Sequence, residues 1–247
     1  MKIIGVIPAR YASTRLKGKV LADLNGKPMI QRVFEQAKKS RWLDDLIIAS
    51  DSDLVIEKAR SFGARVVLTA AHHPSGSDRV AEAAQSLDAD VIINIQGDEP
   101  LIDPKAIDAL AGVMKEDPGC VMSTLIKTIE RESELNDPHV VKVVVDKDKN
   151  ALYFSRSVIP YNRDGIGASD LPYYKHLGIY AYRKDFLLNF VKLPKSSLEK
   201  IEQLEQLRVL EAGYKIKTVL TDTPMISVDT EADLIRVREF LKKTEET

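Results

Sequence analysis

The sequence predicts an α/β fold with a doubly wound, mostly parallel sheet, and three observations support this prediction. Short apolar runs, such as residues 3–7 and 91–95, carry no charge and are rich in β-branched side chains, as is typical of parallel strands covered on both faces. Amphipathic segments of helical length alternate with these runs, which favours right-handed βαβ crossovers. Polar or basic loops follow several runs, at the edge where sheets of this class bind ligands.

The first half of the chain predicts four pairs of a strand and a helix. Pro28 opens the first helix, since proline suits the first helical turn. Asp51 or Ser52 caps the second helix, and Gly63 ends it. A capping signal precedes the third helix. The predicted strands are 3–7, 46–50, 65–68 and 91–95, and the predicted helices are 28–39, 53–62, 79–86 and 104–116.

The second half of the chain does not continue the regular alternation of strands and helices. Residues 120–126 and 173–182 predict strands, and residues 140–145 and 151–154 predict a hairpin around a polar turn. We therefore expect a single α/β domain over residues 1–247, in which residues 120–182 form a smaller mixed α+β insert that covers the first half. The remaining predicted elements are helices over 184–191 and 198–212, a strand over 214–220 and a final helix from Thr230 to about 243.

Composition limits the classes of function. The 247 residues are 44% hydrophobic and 30% charged, with a net charge of −1. These values are typical of a soluble globular protein, and a near-neutral chain has no overall field that would attract nucleic acid or a membrane. Cys120 is the only cysteine, so no disulfide can form within the chain. We see no signal peptide and no uncharged run of about 18 residues, and we therefore expect a cytoplasmic enzyme.

The loop after the first strand carries four basic residues and no acidic one over positions 9–19. Arginine forks, lysine charges and free backbone N–H groups together favour binding of a polyphosphate. The loop is not a P-loop, because Ser13 stands where the first glycine should be and Val20 follows Lys19. It also lacks the glycine motif that binds dinucleotides. A solvated basic loop is the alternative interpretation.

Two aspartates that follow apolar runs are candidate Mg²⁺ ligands. Asp98 comes directly after the strand at 91–95 and a glycine, and Asp229 precedes the final helix. Mg²⁺ takes one or two carboxylates together with phosphate oxygens. Each aspartate also has a structural alternative, since Asp98 could belong to an ordinary turn and Asp229 could be a helix N-cap. The residues alone therefore favour Mg²⁺-dependent chemistry on a nucleotide polyphosphate, with the base and the acceptor left open.

Five segments, taken in order, resemble the 3-deoxy-manno-octulosonate (Kdo) cytidylyltransferases, also called CMP-Kdo synthetases. The resemblance runs from Met1 to about Val237. One departure lies in the basic loop, where the family's usual LPGKPL reads LKGKVL at residues 16–21, so both prolines are lost while the glycine and the lysine remain. The five segments are IPARYASTRL (7–16), HPSGSDR (73–79), QGDEP (96–100), HLGIY (176–180) and IEQLEQLR (201–208).

The resemblance implies transfer of CMP from CTP to Kdo with release of pyrophosphate, for lipopolysaccharide synthesis. It also implies a Mg²⁺-dependent homodimer, in which the insert forms the sugar lid and the dimer surface. The implied catalytic residues are Arg10, Lys19 and Asp98, and the implied Mg²⁺ ligands are Asp98 and Asp229. The implied nucleotide-binding residues are Ala9, Arg10, Ser13, Lys19, Ser75, Gly76, Asp78, Arg79 and Gln96. The implied sugar-binding residues are Arg15, Arg156, His176, Tyr180, Glu205 and Gln206, of which Arg156 or His176 would face the sugar carboxylate.

Two alternatives remain at this stage. One is a cytidylyltransferase for another acidic sugar, and the other is a non-catalytic nucleotide-binding regulator on the same fold. The motifs at His176 and at Glu205 and Gln206 favour Kdo as the acceptor. The presence of Lys19 and Asp98 favours an enzyme over a regulator.

Overall fold

The computed structural model describes residues 1–11, 16, 18–163, 172–223 and 225–245. Its strands are β1 (Ile3–Ala9), β2 (Asp23–Leu24), β3 (Lys27–Pro28), β4 (Asp45–Ser50), β5 (Arg65–Leu68), β6 (Val91–Asn94), β7 (Met122–Thr128), β8 (Lys142–Val145), β9 (Ala151–Ser155), β10 (Tyr174–Arg183) and β11 (Lys217–Leu220). Its helices are α1 (Met29–Ala37), α2 (Asp53–Ser61), α3 (Gly76–Gln85), α4 (Pro104–Glu116), α5 (Glu132–Asn136), α6 (Lys184–Phe190), α7 (Ser197–Glu202), α8 (Leu207–Glu211) and α9 (Glu231–Glu245).

A nine-stranded mixed sheet forms the centre of the described molecule. Seven of its strands follow the order β11-β7-β10-β6-β1-β4-β5. Strand β1 is parallel to β4 and β6, β4 is parallel to β5, and β7 is parallel to β11. Strand β10 is antiparallel to both β6 and β7. The predicted α/β class with a mostly parallel sheet is therefore confirmed.

The side chains of β1 show how helices cover both faces of this sheet. Ile3 and Ile7 belong to the core cluster that includes residues of α1, α2 and α4. Ile4 and Val6 belong to the opposite cluster, which includes residues of α3, α6 and α8. All four side chains are at most 2% exposed. Because successive residues of a strand face opposite sides, a strand covered on both sides reads as one uncharged run.

The segment 120–182 contributes both to the main sheet and to a layer beside it. Strands β7 and β10 are inserted in the order of the main sheet, next to β6. Strands β8 and β9 form the expected antiparallel hairpin, and β8 also pairs with β10 at Tyr174 and Lys175. Helix α5 in this segment was not expected from the sequence. Among the described residues, no helix is both long and apolar enough to cross a lipid bilayer.

The single helix predicted over residues 198–212 is wrong. The chain forms α7 and α8 instead, because Gln203 adopts a left-handed conformation with φ of 54° and ends α7. The guanidinium of Arg208 on α8 then donates to both carboxylate oxygens of Glu199 on α7, at 2.7 and 2.6 Å. The break leaves residues 203–206 as a short irregular segment between the two helices. This segment forms part of the candidate site described below.

Gly97 allows the ends of β1 and β6 to approach each other closely. A Cβ atom at Gly97 would lie 2.8 Å from the backbone oxygen of Pro8. The main chain is already joined nearby, since the N–H of Ile95 donates to the carbonyl of Val6 at 3.0 Å. Residue 97 must therefore be glycine, because any side chain there would force the backbone at Pro8 to move.

We expect Gly97→Ala to lower the free energy of unfolding by about 1–3 kcal/mol, as overpacking of a close contact does. Thermal and urea unfolding of the variant measure this change. The matched control is Gly178→Ala, because a Cβ atom at Gly178 meets nothing within 4 Å. Equal stability of the two variants would contradict the close approach at Gly97.

Candidate active site

The basic loop leads into a turn that fixes the position of Lys19. Gly18 has a φ of 69°, in the left-handed region that favours glycine, and it precedes the 3-10 turn Lys19–Leu21. The N–H of Gly18 donates to the carbonyl of Tyr11 at 3.1 Å and closes the loop at its base. Two predicted site residues of this loop, Ser13 and Arg15, lie outside the described residues.

The ammonium of Lys19 lies between the two predicted metal-binding carboxylates. Its Nζ donates to Oδ2 of Asp98 at 2.7 Å and to Oδ1 of Asp229 at 3.1 Å. The N–H of Val228 donates to the carbonyl of Asp98 at 2.9 Å, which ties the two acidic segments together. Residues far apart in sequence thus meet at the carboxyl end of β1 and β6.

The contacts at the start of α9 show which residue caps this helix, Asp229 or Thr230. The hydroxyl of Thr230 accepts from the N–H of Asp233 at 3.2 Å and donates to the Asp233 carboxylate at 2.8 Å. Thr230 therefore supplies the oxygen that caps the first turn. The side chain of Asp229 faces Lys19 instead.

The electrostatics of this cluster favour a cation. Burial alone would lower the pKa of Lys19, but the two carboxylates outweigh it and the pKa is raised. Glu99 lies beside the cluster and is 8% exposed, and one of its carboxylate oxygens has no hydrogen-bond partner in the described part of the chain. Burial, followed by the charges of Asp98 and Asp229, raises the pKa of Glu99 to about 8. An additional cation here would offset the repulsion among these three acids.

The donor set fits Mg²⁺ better than it fits a metal held by protein ligands alone. Asp98 and Asp229 present carboxylate oxygens to one cation position, which the Lys19 ammonium takes in this conformation. No group of three or more His, Cys, Asp or Glu side chains able to hold a metal occurs within the ranges described. Mg²⁺ characteristically uses one or two carboxylates and takes its other ligands from substrate phosphates and water.

Two arginines lie close together beside the first strand. Arg79 is fully buried, and its guanidinium contacts Asp51 at 3.1 Å and donates to the hydroxyl of Thr69. Burial lowers the pKa of Arg79, Asp51 opposes this effect and the charge of Arg10 adds to it. One terminal nitrogen of Arg10 is buried without a hydrogen-bond partner among the described residues. Arg79 is thus closed off from solvent, and both Arg79, through Nε, and Arg10 retain a donor without a partner among the described residues.

A polar cleft of about 300 Å³ brings together most of the remaining predicted residues. The N-terminus of α3 borders it, and α3 begins at Gly76 rather than at the predicted residue 79 because Ser75 is its N-cap. The Ser75 hydroxyl accepts from the N–H of Asp78 at 3.2 Å and contacts its carboxylate at 2.6 Å. The predicted residues that line the cleft are Ser75, Gly76, Gln96, His176, Tyr180, Glu205 and Gln206, and Ser77, Asn94, Gln203 and Leu204 also line it.

The floor of the cleft carries neutral polar groups beside the carboxylate of Glu205. The Tyr180 hydroxyl donates to Oε1 of Gln206 at 3.3 Å, while Nε2 of Gln206 is buried without a partner in the described chain. Burial, then the charge of Glu205, raises the pKa of Tyr180. Burial lowers the pKa of His176 to about 3. These side chains can therefore donate and accept hydrogen bonds near neutral pH without carrying charge.

The structure places Arg156 outside this cleft. Its side chain donates to the backbone carbonyls of Glu202 at 2.7 Å and of Pro138 at 3.0 Å. These contacts hold the end of α7 against the strand β9. Ala9 is likewise buried, within β1. Neither side chain lines the cleft, although the resemblance implied contact with a substrate for both.

Sequence reasoning missed several residues of the site. Gln203 and Leu204 line the cleft only because the predicted helix 198–212 is broken. Glu99 lies in the QGDEP segment (96–100), but its burial depends on packing that the sequence does not show. Ser77 was not missed, because the resemblance implies that residues 75–79 of the HPSGSDR segment surround the nucleotide. Thr124 on β7, which contacts His176 at 3.0 Å, carried no signal.

Comparison with known proteins identifies the family. A family model described as cytidylyltransferase matches residues 4–216. The chain belongs to the cytidylyltransferase family. A 3-deoxy-manno-octulosonate cytidylyltransferase of Solibacter usitatus is 52% identical over 241 residues, which cover 98% of this chain and 95% of that protein. One of Syntrophus aciditrophicus is 48% identical over 243 residues, covering 97% of both chains.

Solved structures agree with this cytidylyltransferase fold. A CMP:2-keto-3-deoxy-manno-octonic acid synthetase complexed with CTP has a TM-score of 0.94 and is 43% identical, covering 99% of this chain and 100% of that one. A 4-diphosphocytidyl-2C-methyl-D-erythritol synthase of Anaerococcus prevotii has a TM-score of 0.65 at 13% identity, covering 98% and 99%. This second likeness concerns the fold alone.

The pKa of His176 makes the stability of this cytidylyltransferase depend on pH. The unfolded chain binds a proton near the ordinary pKa of 6.5, whereas the folded protein binds it only near pH 3. The contribution of His176 to the free energy of unfolding should therefore fall as the pH drops from 6.5 towards 3, by up to about 2 kcal/mol between pH 7 and pH 5. Glu99, whose pKa is raised to about 8, contributes in the opposite direction over this range, so the contribution of His176 is the difference between the wild type and a variant at position 176. Urea unfolding at both pH values measures the fall.

We expect His176→Gln to reduce that fall, because glutamine does not titrate. The matched control is His139→Gln, at an exposed histidine. If the free energy of unfolding changed by the same amount between pH 7 and pH 5 in His176→Gln and in the wild type, His176 would not be held neutral in the folded protein.

Proposed function

We propose that this protein transfers CMP from CTP to the anomeric hydroxyl of Kdo and releases pyrophosphate, with Mg²⁺ as its cofactor. One observation carries the proposal: the Lys19 ammonium lies between Asp98 and Asp229, and Gln96, two residues before Asp98, lines the polar cleft. Cations for a triphosphate and neutral donors for a sugar thus occupy adjoining parts of one site. The relatives with this activity match the chain over nearly its whole length.

Lys19 and Arg10 would bind the triphosphate. When phosphate oxygens arrive, the Lys19 ammonium can exchange a carboxylate for a phosphate, and the unused donor of Arg10 can take another oxygen. Asp98 and Asp229 would then be available to hold Mg²⁺. The bound ion would neutralise phosphate charge and lower the pKa of an attached hydroxyl.

The reaction would be an in-line displacement at the α-phosphorus of CTP. The anomeric hydroxyl of Kdo would lose its proton to solvent water as its oxygen forms the new bond to phosphorus, the bond to the bridging oxygen would break, and pyrophosphate would leave with the electron pair. Lys19 and Arg10 would stabilise the charge that develops on the leaving group, since cations positioned in advance act on transition-state charge. The cleft would hold the sugar so that its hydroxyl faces the phosphorus.

Further parts of the proposal concern the assembly and the cell. We propose a homodimer that acts in the cytoplasm and supplies CMP-Kdo for lipopolysaccharide synthesis. The relatives' shared name supports the product. The nucleotide would contact Ser75, Gly76 and Gln96, and the sugar would contact His176, Tyr180 and the 203–206 segment. Contacts to Ser13 and Arg15 are proposed from the resemblance alone.

Pyrophosphate release from CTP and Mg²⁺ tests this function. With Kdo as acceptor, we expect release by the wild type and none with N-acetylneuraminate or without acceptor. Asp98→Asn should lower the rate by about 100-fold or more, because it removes a charge that would position the metal at the transferring phosphate. The control is Asp88→Asn, at an exposed carboxylate that pairs with Lys2 at 3.2 Å.

Three outcomes would contradict the proposal. Release with N-acetylneuraminate but not with Kdo would indicate another acidic sugar. Tight CTP binding with no release for any acceptor would indicate a regulator on this fold. Full activity of Asp98→Asn would exclude the proposed role of that carboxylate.

A further inference from the structure

The register of β7 and β10 is interrupted beside the cleft. Leu177 pairs with Leu125, whereas Tyr180 pairs with Thr124, so β10 carries two additional residues between these pairs. Such a bulge bends a strand and re-aims its side chains. Here it separates His176 from Tyr180, which both line the cleft. It also removes backbone carbonyls of β10 from the regular ladder.

The hydroxyl of Thr124 fills the gap that this bulge leaves. Its oxygen lies 2.8 Å from the carbonyl of Ile179, 3.2 Å from the carbonyl of Leu177 and 3.0 Å from Nε2 of His176. Thr124 is fully buried. One hydroxyl therefore contacts two backbone acceptors and one imidazole nitrogen.

Counting protons decides the roles of these groups. A hydroxyl has one hydrogen to donate and two lone pairs that accept. Because carbonyl oxygens can only accept, the hydrogen of Thr124 is directed to Ile179 or shared with Leu177. Nε2 of His176 must then be the donor, and Thr124 the acceptor, in their mutual hydrogen bond. In a neutral imidazole this leaves Nδ1 without a hydrogen, as an acceptor.

We propose that Thr124 is a positioning residue, which holds His176 in the Nε2–H tautomer so that Nδ1 accepts a hydrogen bond from a hydroxyl of the sugar substrate. The inference rests on the proposed function for the identity of that substrate. No hydrogen bond to Nδ1 is present among the described residues, and the ring lines both the cleft and a second groove, which Gly178 and Asp229 also line.

This assignment changes how the sugar acid would be recognised. The sequence led us to expect His176 or Arg156 opposite the sugar carboxylate. An unprotonated nitrogen repels a carboxylate and attracts a hydroxyl hydrogen, and burial keeps the pKa of His176 low enough for the ring to stay neutral. Arg156 is occupied by backbone carbonyls. His176 would therefore read a hydroxyl and not the carboxylate.

Nitrogen NMR of the ligand-free protein tests the tautomer directly. Long-range ¹H–¹⁵N spectra distinguish a protonated from an unprotonated ring nitrogen, and His176→Gln assigns the signals. We expect protonated Nε2 and unprotonated Nδ1 in the wild type and in Thr124→Ser, which keeps the hydroxyl. In Thr124→Val, which has nearly the same shape without the hydroxyl, we expect a mixture or the Nδ1–H form.

Kinetics test the consequence for the substrate. We expect Thr124→Val to raise the KM for Kdo about 10-fold, as the loss of one hydrogen bond does, with little change in the KM for CTP and recovery in Thr124→Ser. The matched control is Ser123→Ala on the same strand, since the buried hydroxyl of Ser123 has no partner in the described chain. A general loss of packing in β7 would not raise the KM for Kdo while leaving the KM for CTP unchanged.

Each result bears on one claim. An Nδ1–H tautomer in the wild type would overturn the proposal, whatever the stability of Thr124→Val. An unchanged tautomer in a folded Thr124→Val, or an unchanged KM for Kdo, would also overturn it. If the wild type shows the expected tautomer but no transfer to Kdo, the proposed function fails while the role of Thr124 in fixing the ring remains.

Discussion

The ammonium of Lys19 lies between two carboxylates, and the arrangement of the whole site depends on this contact. Asp98 and Asp229 come from separate elements, 79 and 210 positions from Lys19 in sequence. Without a cation these partly buried acids would repel each other and Glu99. In a phosphoryl-transfer site Mg²⁺ and the phosphates arrive together. The Lys19 ammonium must therefore be able to leave the two carboxylates so that Mg²⁺ can take its place. The backbone maintains this geometry through Gly18, which places the turn at Lys19, and through Gly97, which lets β6 approach Pro8.

The two ends of the site differ in how they are charged. At the phosphate end, Lys19 and Arg10 are cationic, and Lys19 contacts two carboxylates. At the sugar end, burial keeps His176 neutral and raises the pKa of the Tyr180 hydroxyl, and Glu205 supplies one carboxylate. A hydrogen-bonding surface with few charges suits a substrate rich in hydroxyls, since unpaired polar groups in a cleft penalise an acceptor that lacks the matching hydroxyl. The division follows from the fold, because one end lies at the strand termini and the other on the faces of β10 and the 203–206 segment.

The sequence predicted the parts of the fold that depend on local pattern. Uncharged β-branched runs correctly predicted β1, β4 and β6, the short apolar stretch after Arg65 correctly predicted β5, and Pro104 correctly placed the start of α4. Residues 198–212 were mispredicted because their apolar spacing suits one helix, while Gln203 takes a left-handed conformation that spacing does not reveal. The early start of α3 was missed, although Ser75 was available as a cap. Patterns of this kind report local preference, and tertiary contacts such as Arg208 with Glu199 override it.

The candidate site was predictable where a motif carried it. Asp98, Asp229 and Lys19 were expected to act together, and the structure brings them into contact. Arg156 could not be placed, because its partners are backbone carbonyls from distant segments. Thr124 gave no signal, since its role depends on a bulge in the neighbouring strand.

The most direct test of this account is a crystal structure of the protein with CTP and Mn²⁺ in place of Mg²⁺, in which anomalous scattering locates the metal. We predict Mn²⁺ between the carboxylates of Asp98 and Asp229, with Nζ of Lys19 moved from them to a phosphate oxygen. Mn²⁺ bound to the phosphates alone, with the contacts of Lys19 to both aspartates unchanged, would contradict the central role assigned to this exchange of cations.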